Sequence, residues 1–172
     1  MKTKIALLCS FALCAILQAA EQRIPNRLID YPGYLRIAQE AQAPREKRRL
    51  TEEQFLSLAA DPQTIILDAR SESKYKLRHI KGAINLPFTE FTQATLSKAI
   101  PGKDSRILIY CNNNFLGSPV AFAAKAAPAS LNISTYVTLT SYGYTNIYEL
   151  GPLIDVKKTR LVFDGEEVSP RN

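Results

Sequence analysis

The stretch from Ile107 to Ala124 constrains this 172-residue chain more than any other. Ile107-Leu108-Ile109-Tyr110 is a short apolar run, the pattern of a strand buried on both faces of a parallel sheet. Cys111 follows at once, then Asn112-Asn113-Asn114-Phe115-Leu116-Gly117. Ser118 has the chemistry of a helix N-cap and Pro119 suits a first helical position, so the Ala-rich residues beyond predict a helix running to Pro128. A strand that turns directly into a helix points backbone N–H groups and the positive end of the helix dipole into the loop between them. A sulfur anion at Cys111 would lie in that hollow. Such a setting raises thiol reactivity, which makes Cys111 the candidate nucleophile.

The flanking chain supplies partners for that strand. Thr51-Glu52-Glu53-Gln54 is a capping box, and Phe55, Leu56 and Leu58 give the helix behind it a buried face. Thr64 to Leu67 reads as a strand delivering Asp68-Ala69-Arg70, and Ala83 to Leu86 as a second strand stopped by Pro87. Thr89 to Ile100 has helical spacing at Phe91, Leu96 and Ile100. Leu131 to Tyr142 fits a helix by spacing and a strand by composition; alternation with the strands decides for a helix, with Gly143 as its C-cap. Asn146 to Leu150 is the last clear strand, and Arg160 to Phe163 an extended run in a loop-like tail. Strands alternating with helices across short connections give an α/β domain with a parallel sheet. Ligands of such sheets bind at the carboxyl ends of the strands, where Asp68, Arg70 and Cys111 all fall.

The ends of the chain carry a different message. Lys2 and Lys4 precede an apolar core from Ile5 to Leu17 and the small residues Ala19 and Ala20, the layout of a secretory signal peptide over 1–20. This places the protein in the periplasm or outside the cell, with no stable membrane span once the segment is cleaved. Cleavage would remove Cys9 and Cys14 and leave Cys111 without a partner for an internal disulfide. It would also cut the formal excess of basic residues from six to four, 20 against 16, which argues against nucleic acid as a partner. Residues 21–50 contain Pro25, Pro32, Gly33 and Pro44, and read as an N-terminal arm in which only Tyr34 to Ala43 has room for a short helix. The domain then spans 51–154 and the tail 155–172.

Four segments in order resemble a rhodanese domain: Ile66-Leu67-Asp68-Ala69-Arg70, then His79-Ile80-Lys81-Gly82-Ala83-Ile84-Asn85-Leu86-Pro87, then Ile109-Tyr110-Cys111, then Gly143-Tyr144-Thr145-Asn146-Ile147-Tyr148. The resemblance covers roughly residues 50–154. It implies a five-stranded parallel sheet flanked by helices. It also implies a cysteine, here Cys111, that takes sulfane sulfur as a persulfide, with a cradle of backbone N–H groups from Asn112, Asn113, Asn114, Phe115, Leu116 and Gly117. The loop from Cys111 to Gly117 is one residue longer than the family's usual one and carries no charge. Its length matches the fold-related cell-cycle phosphatases, but Gly117 stands where those enzymes need an arginine to hold a phosphoryl group in transit. Phosphatase chemistry is disfavoured, and thiosulfate as a donor is put in question by the same missing charge.

The remaining residues have plainer readings. The three asparagines are either a neutral anion cradle or a turn that uses their tolerance of positive φ. Asp68 and Arg70 either steer a substrate or pair to fix the loops. His79, the single histidine, belongs to a turn entering a strand and has a structural role there; with Cys111 it makes too few ligands for a metal. No cofactor is called for. The leading expectation is transfer of sulfur from a small donor to a thiol acceptor, which includes protein thiols. The alternative is a noncatalytic module of the same fold that binds a periplasmic partner or a sulfur-containing ligand. A thiol-redox role is weaker, because resolving a mixed disulfide would need a thiol from elsewhere.

Overall fold

The short apolar runs become the middle of a parallel sheet. In the computed structural model, which describes residues 24–168, the elements are α1 (Tyr31–Lys47), β1 (Arg49–Leu50), α2 (Glu52–Ala59), β2 (Ile65–Asp68), α3 (Glu72–Leu77), β3 (His79–Ile80), β4 (Ile84–Asn85), α4 (Gln93–Ala99), β5 (Ile107–Tyr110), β6 (Phe115–Leu116), α5 (Leu131–Ser141), β7 (Ile147–Leu150), β8 (Ile154–Asp155) and β9 (Phe163–Asp164). The signal-peptide reading of residues 1–20 lies outside the described residues. Residues 24–30 belong to a unit of their own, with a turn in which the Leu28 N–H donates to Asn26 Oδ1 at 3.0 Å. The elements from Tyr31 onward form the second unit.

The main sheet has the order β1-β7-β5-β2-β4, five strands and all parallel. This is the α/β architecture that the strand and helix alternation predicts. Alternate residues of its central strands feed two cores. Ile66, Leu108 and Tyr110 face Phe55, Phe115, Phe122 and Phe163 on one side. Leu67, Ile107 and Ile109 face Leu96, Ile100, Tyr136 and Leu139 on the other. Full burial stabilises by about 1.5–3 kcal/mol for each large aliphatic or aromatic side chain. The local signals hold where they are strongest. Gln54 N–H donates to Thr51 Oγ1 at 3.2 Å and Thr51 N–H to Gln54 Oε1 at 2.9 Å, closing the capping box. Gly143 at φ 84° ends α5, with its N–H on Thr140 O and that of Tyr144 on Leu139 O.

The helix expected over Thr89 to Ile100 is shorter, a 3-10 turn at Phe88–Glu90 followed by α4 capped at Thr92, and two stretches differ more from the sequence reading. The first is the arm: α1 is one helix of 17 residues with Pro44 inside it. Pro32 sits in its first turn, where a missing N–H costs nothing. Its end is held by Arg45, whose Nε and Nη2 each lie 2.7 Å from a carboxylate oxygen of Glu149 in β7. Tertiary anchoring has overridden the local break. The arm also supplies β1, which pairs Arg49 with Glu149 and Leu50 with Leu150.

The second is the helix expected from Ser118 to Pro128. Residues 117–126 instead form a strap without a helix, followed by a single 3-10 turn over Ala127–Ala129. Side chains take the carbonyls a helix would use. Lys74 Nζ donates to Val120 O at 2.7 Å, Arg70 Nη1 to Ala121 O at 2.9 Å and Asn112 Nδ2 to Ala123 O at 2.6 Å. Ser118, the expected N-cap, donates its hydroxyl to Glu167 at 2.8 Å. Phe122 adds a buried anchor, its ring 4.4 Å from that of Phe115. In the tail, β9 pairs antiparallel with β3, and β8 parallel with β6.

Candidate active site

Strand β5 lies between β7 and β2 and ends at Cys111, the free cysteine among the described residues. Cys111 has an extended backbone and is 1% exposed. The next three residues make one 3-10 turn, with the Asn114 N–H donating to Cys111 O at 3.2 Å and the Phe115 N–H to Asn112 O. Phe115 and Leu116 then leave as β6. Of the residues expected to cradle the sulfur, Asn114 and Phe115 therefore give their amides to carbonyls of the turn. Phe115 itself is core, Leu116 is exposed, and Gly117 turns the chain at φ 85°.

A helix end does approach the sulfur, but from another part of the chain. Cys111 Sγ lies 3.4 Å from the hydroxyl of Ser130, the residue that begins α5. A helix start thus lies beside the sulfur, although no helix follows the loop directly. Leu131 and Asn132 open that helix, and the Asn132 amide reaches back to Asn114 Oδ1 at 3.0 Å. The sequence held a faint signal for this, a polar pair flanking the start of a predicted helix.

The three asparagines act through their amides. No described residue other than glycine has positive φ, so the positive-φ reading of Asn112 to Asn114 does not hold. Asn112 ties to Ala123 of the strap. Asn113 binds Lys125 twice, donating from Nδ2 to the carbonyl at 2.8 Å and accepting the Lys125 N–H at 3.0 Å. Asn114 accepts the Cys111 N–H at 2.9 Å and donates to Leu150 O at 2.7 Å, at the end of β7. Together they stitch the loop to the strap above and to the sheet below.

Asp68 and Arg70 form a buried pair, 0% and 2% exposed. Arg70 Nε donates to Asp68 Oδ1 at 2.9 Å and Nη2 to Oδ2 at 2.5 Å. Arg70 also donates to Ala121 O and, through Nη2, to Arg78 O at 2.7 Å. Tyr110 OH donates to Asp68 Oδ2 at 2.5 Å and accepts the Ile80 N–H at 3.1 Å. Burial opposes the Arg70 charge, yet its hydrogen bonds and the charge of Asp68 outweigh that and raise its pKa. Burial first, then the Asp68 charge, push the Tyr110 hydroxyl well above the ordinary tyrosine range. These contacts join the two residues to each other, to Tyr110 of β5 and to the carbonyls of Ala121 and Arg78, while Arg70 also lines a cleft. His79 stacks on Tyr75, with ring centroids 3.7 Å apart, and its Nδ1 meets Tyr75 O at 2.8 Å.

A cleft of about 520 Å³ opens between α3, the segment around Phe88 and the strap. Asn112, Leu131, Lys74 and Lys125 are among its lining residues. Sequence reasoning named neither lysine, because nothing local links α3 to residue 125. Among the described residues no three His, Cys, Asp or Glu side chains cluster closely enough to hold a metal ion.

Comparison with known proteins places this geometry in context. The family model of the rhodanese-like domain matches residues 51–151. The thiosulfate sulfurtransferase PspE of Escherichia coli (strain K12) is 28% identical over 90 residues, 52% of this chain and 71% of that protein. Among solved structures, the Alr3790 protein from Anabaena sp. aligns at a TM-score of 0.49 with 21% identity, over 69% of this chain and 94% of that one. A rhodanese with anions from E. coli aligns at 0.41 with 23% identity, over 60% of this chain and 99% of that one.

Proposed function

The chain belongs to the rhodanese-like domain family, and from that premise we propose that Cys111 carries sulfane sulfur as a persulfide and passes it to a thiol acceptor. The observation that carries this reading is the seat of Cys111 at the end of the central strand, its sulfur beside Ser130 at the head of α5. A helix N-terminus favours negative charge by about 0.3–1 kcal/mol, more when partly buried. An anionic persulfide gains that stabilisation without a charged side chain in the loop.

In the loading step, the Cys111 thiolate attacks the outer sulfur of a persulfide or polysulfide donor. The new S–S bond forms as the donor's own S–S bond breaks, and the donor leaves as a thiolate. In the second step an acceptor thiolate attacks the outer sulfur of the Cys111 persulfide. The outer sulfur takes up a proton from water before it is attacked and keeps it; the Cys111 S–S bond breaks and the electron pair returns to Sγ. No outside oxidant or reductant is needed.

Phosphoryl transfer has no support here. A Cβ at Gly117 would stand 3.0 Å from Asp155 Oδ1, so the position where an arginine would be needed faces a carboxylate. Thiosulfate, named for the E. coli relative, meets a Cys111 loop that carries no charge of its own. The setting we infer is periplasmic or secreted, on the strength of residues 1–20, and a reporter fused after Ala20 tests it.

Mass spectrometry of protein treated with polysulfide tests the chemistry. A gain of one sulfur on the Cys111 peptide, lost on adding a thiol, is the expected result. No gain there removes the proposal. A second reading, a noncatalytic binding module, draws on the near-complete burial of Cys111. Under that reading Cys111→Ser keeps the cellular role, whereas sulfur transfer requires its loss.

A further inference from the structure

We propose that residues 118–127 are a two-state gate on access to Cys111: the pinned strap described above, and an α-helix grown from the turn at Ser118 whose formation opens the cysteine to reagents. The inference concerns access to Cys111 and stands apart from the chemistry assigned to its sulfur.

The helix is already nucleated. Phe122 N–H donates to Ser118 O at 2.8 Å, the i to i−4 bond of a first α-helical turn. Nucleation is the costly step of helix growth, and each residue added afterwards brings a bond of its own. The residues next in line, Ala123-Ala124-Lys125-Ala126-Ala127, are alanines, the strongest helix formers, around one lysine suited to a helix C-terminus. All five are exposed, so coiling them gives up no buried side chain. Phe122, the buried anchor, belongs to the turn that both states share.

What keeps the strap uncoiled is a set of side chains from outside it. The Lys125 N–H goes to Asn113 Oδ1 at 3.0 Å, where a helix would send it to Ala121 O. Ala121 O takes Arg70 instead, and Val120 O, the helical partner of Ala124, takes Lys74. Ala123 O takes Asn112. Asn112 and Asn113 follow Cys111 directly, so two of the pins on the strap are also ties of the cysteine loop. Chain length couples the two a second time. Residues 123–127 span at most about 17 Å extended and about 8 Å as helix. The difference must be drawn from the chain leading to Ser130, whose hydroxyl is 3.4 Å from Cys111 Sγ. Coiling therefore draws Ser130 off a sulfur that is buried while the strap is pinned.

The test is the rate at which neutral iodoacetamide alkylates Cys111 in the folded full chain, read by mass on the Cys111 peptide. Where opening and closing outpace alkylation, this rate follows the open fraction. Ala123→Gly/Ala124→Gly leaves every pin in place and weakens the helix by about fivefold per glycine, so alkylation should slow by about 25-fold. Opening by simple fraying predicts the reverse, because glycine loosens an irregular chain. Ala126→Pro is the second variant. Ala126 has φ −50° in the strap, within the range of proline, whereas a proline there clashes with helical continuation. It should slow alkylation by at least about tenfold, with a urea midpoint no lower than wild type. Asn113→Ala frees the Lys125 N–H and should quicken alkylation by about fivefold. Alkylation of the urea-unfolded chains at one common rate checks that the reagent sees the same thiol in all of them. A rate equal to or above wild type in the glycine pair or in Ala126→Pro overturns the proposal. So does an unchanged rate in Asn113→Ala, or a wild-type Cys111 that reacts only once the chain unfolds.

Discussion

Arg70→Ala strands the Asp68 carboxylate in the core without its cation. The guanidinium makes three bonds to that carboxylate, one to Ala121 O and one to Arg78 O, and lies 4.4 Å from the centre of the Phe122 ring. Truncation removes the counter-charge and the clamp on the strap together. Breaking a buried pair from one side costs about 3–5 kcal/mol. Asp68 keeps the Tyr110 hydroxyl and the Arg70 N–H, which puts the expected loss at the lower end, ~3 kcal/mol. A domain of this kind has about 5–15 kcal/mol in total. With a urea slope of about 1–3 kcal/mol/M, the midpoint should fall by about 1–3 M at unchanged slope. Asp68→Ala/Arg70→Ala removes the stranded charge as well, and should be no less stable than Arg70→Ala within about 1 kcal/mol. Losses that simply add in this cycle, or a single-variant loss below about 1 kcal/mol, refute the account of the pair as a buried bridge.

Three further outcomes follow from named contacts. Asn112→Ala/Asn113→Ala cuts the side-chain ties to Ala123 and Lys125, and should cost about 1 kcal/mol per bond while speeding neutral alkylation of Cys111; an unchanged alkylation rate would mean the strap does not shield the sulfur. Arg45→Met leaves the nearly buried Glu149 with only the more distant Arg49, 3.9 Å away, and should release the end of α1 to limited proteolysis between residues 40 and 48; protection equal to wild type counts against anchoring by this pair. Because Tyr110 is held protonated in the fold, its contribution is complete below about pH 10, where the unfolded chain begins to ionise, and is lost as pH rises toward the higher folded value. Urea midpoints should therefore fall above about pH 10, and less steeply in Tyr110→Phe; equal slopes would contradict the buried Tyr110–Asp68 bond.

Local chemistry in the chain was enough for the parallel sheet. The runs Ile65–Leu67 and Ile107–Tyr110 are short and apolar between turn signals, as buried strands are, and Thr51 and Gly143 mark helix ends through bonds within a few residues. The position of Cys111 at the end of the central strand follows from the same pattern. By contrast, the sequence around Ser118 and Pro119 has every local mark of a helix start, and no helix forms there. Donors from Lys74, Arg70 and Asn112 take its carbonyls, and no periodicity within residues 118–128 contains that information.

The same distinction explains α1 and the surroundings of the sulfur. Pro44 predicts a break, while the ion pair of Arg45 with Glu149, 104 residues away, keeps the helix whole. The helix end beside Cys111 belongs to α5, 19 residues on, and the two lysines of the cleft lie 51 residues apart in the chain. Short-range capping and alternation set which residues become strand or helix, because those energies are decided within a turn or a pleat. Which donor reaches which carbonyl, and which hydroxyl meets the cysteine sulfur, depends on distances that exist only after the sheet has brought remote segments together.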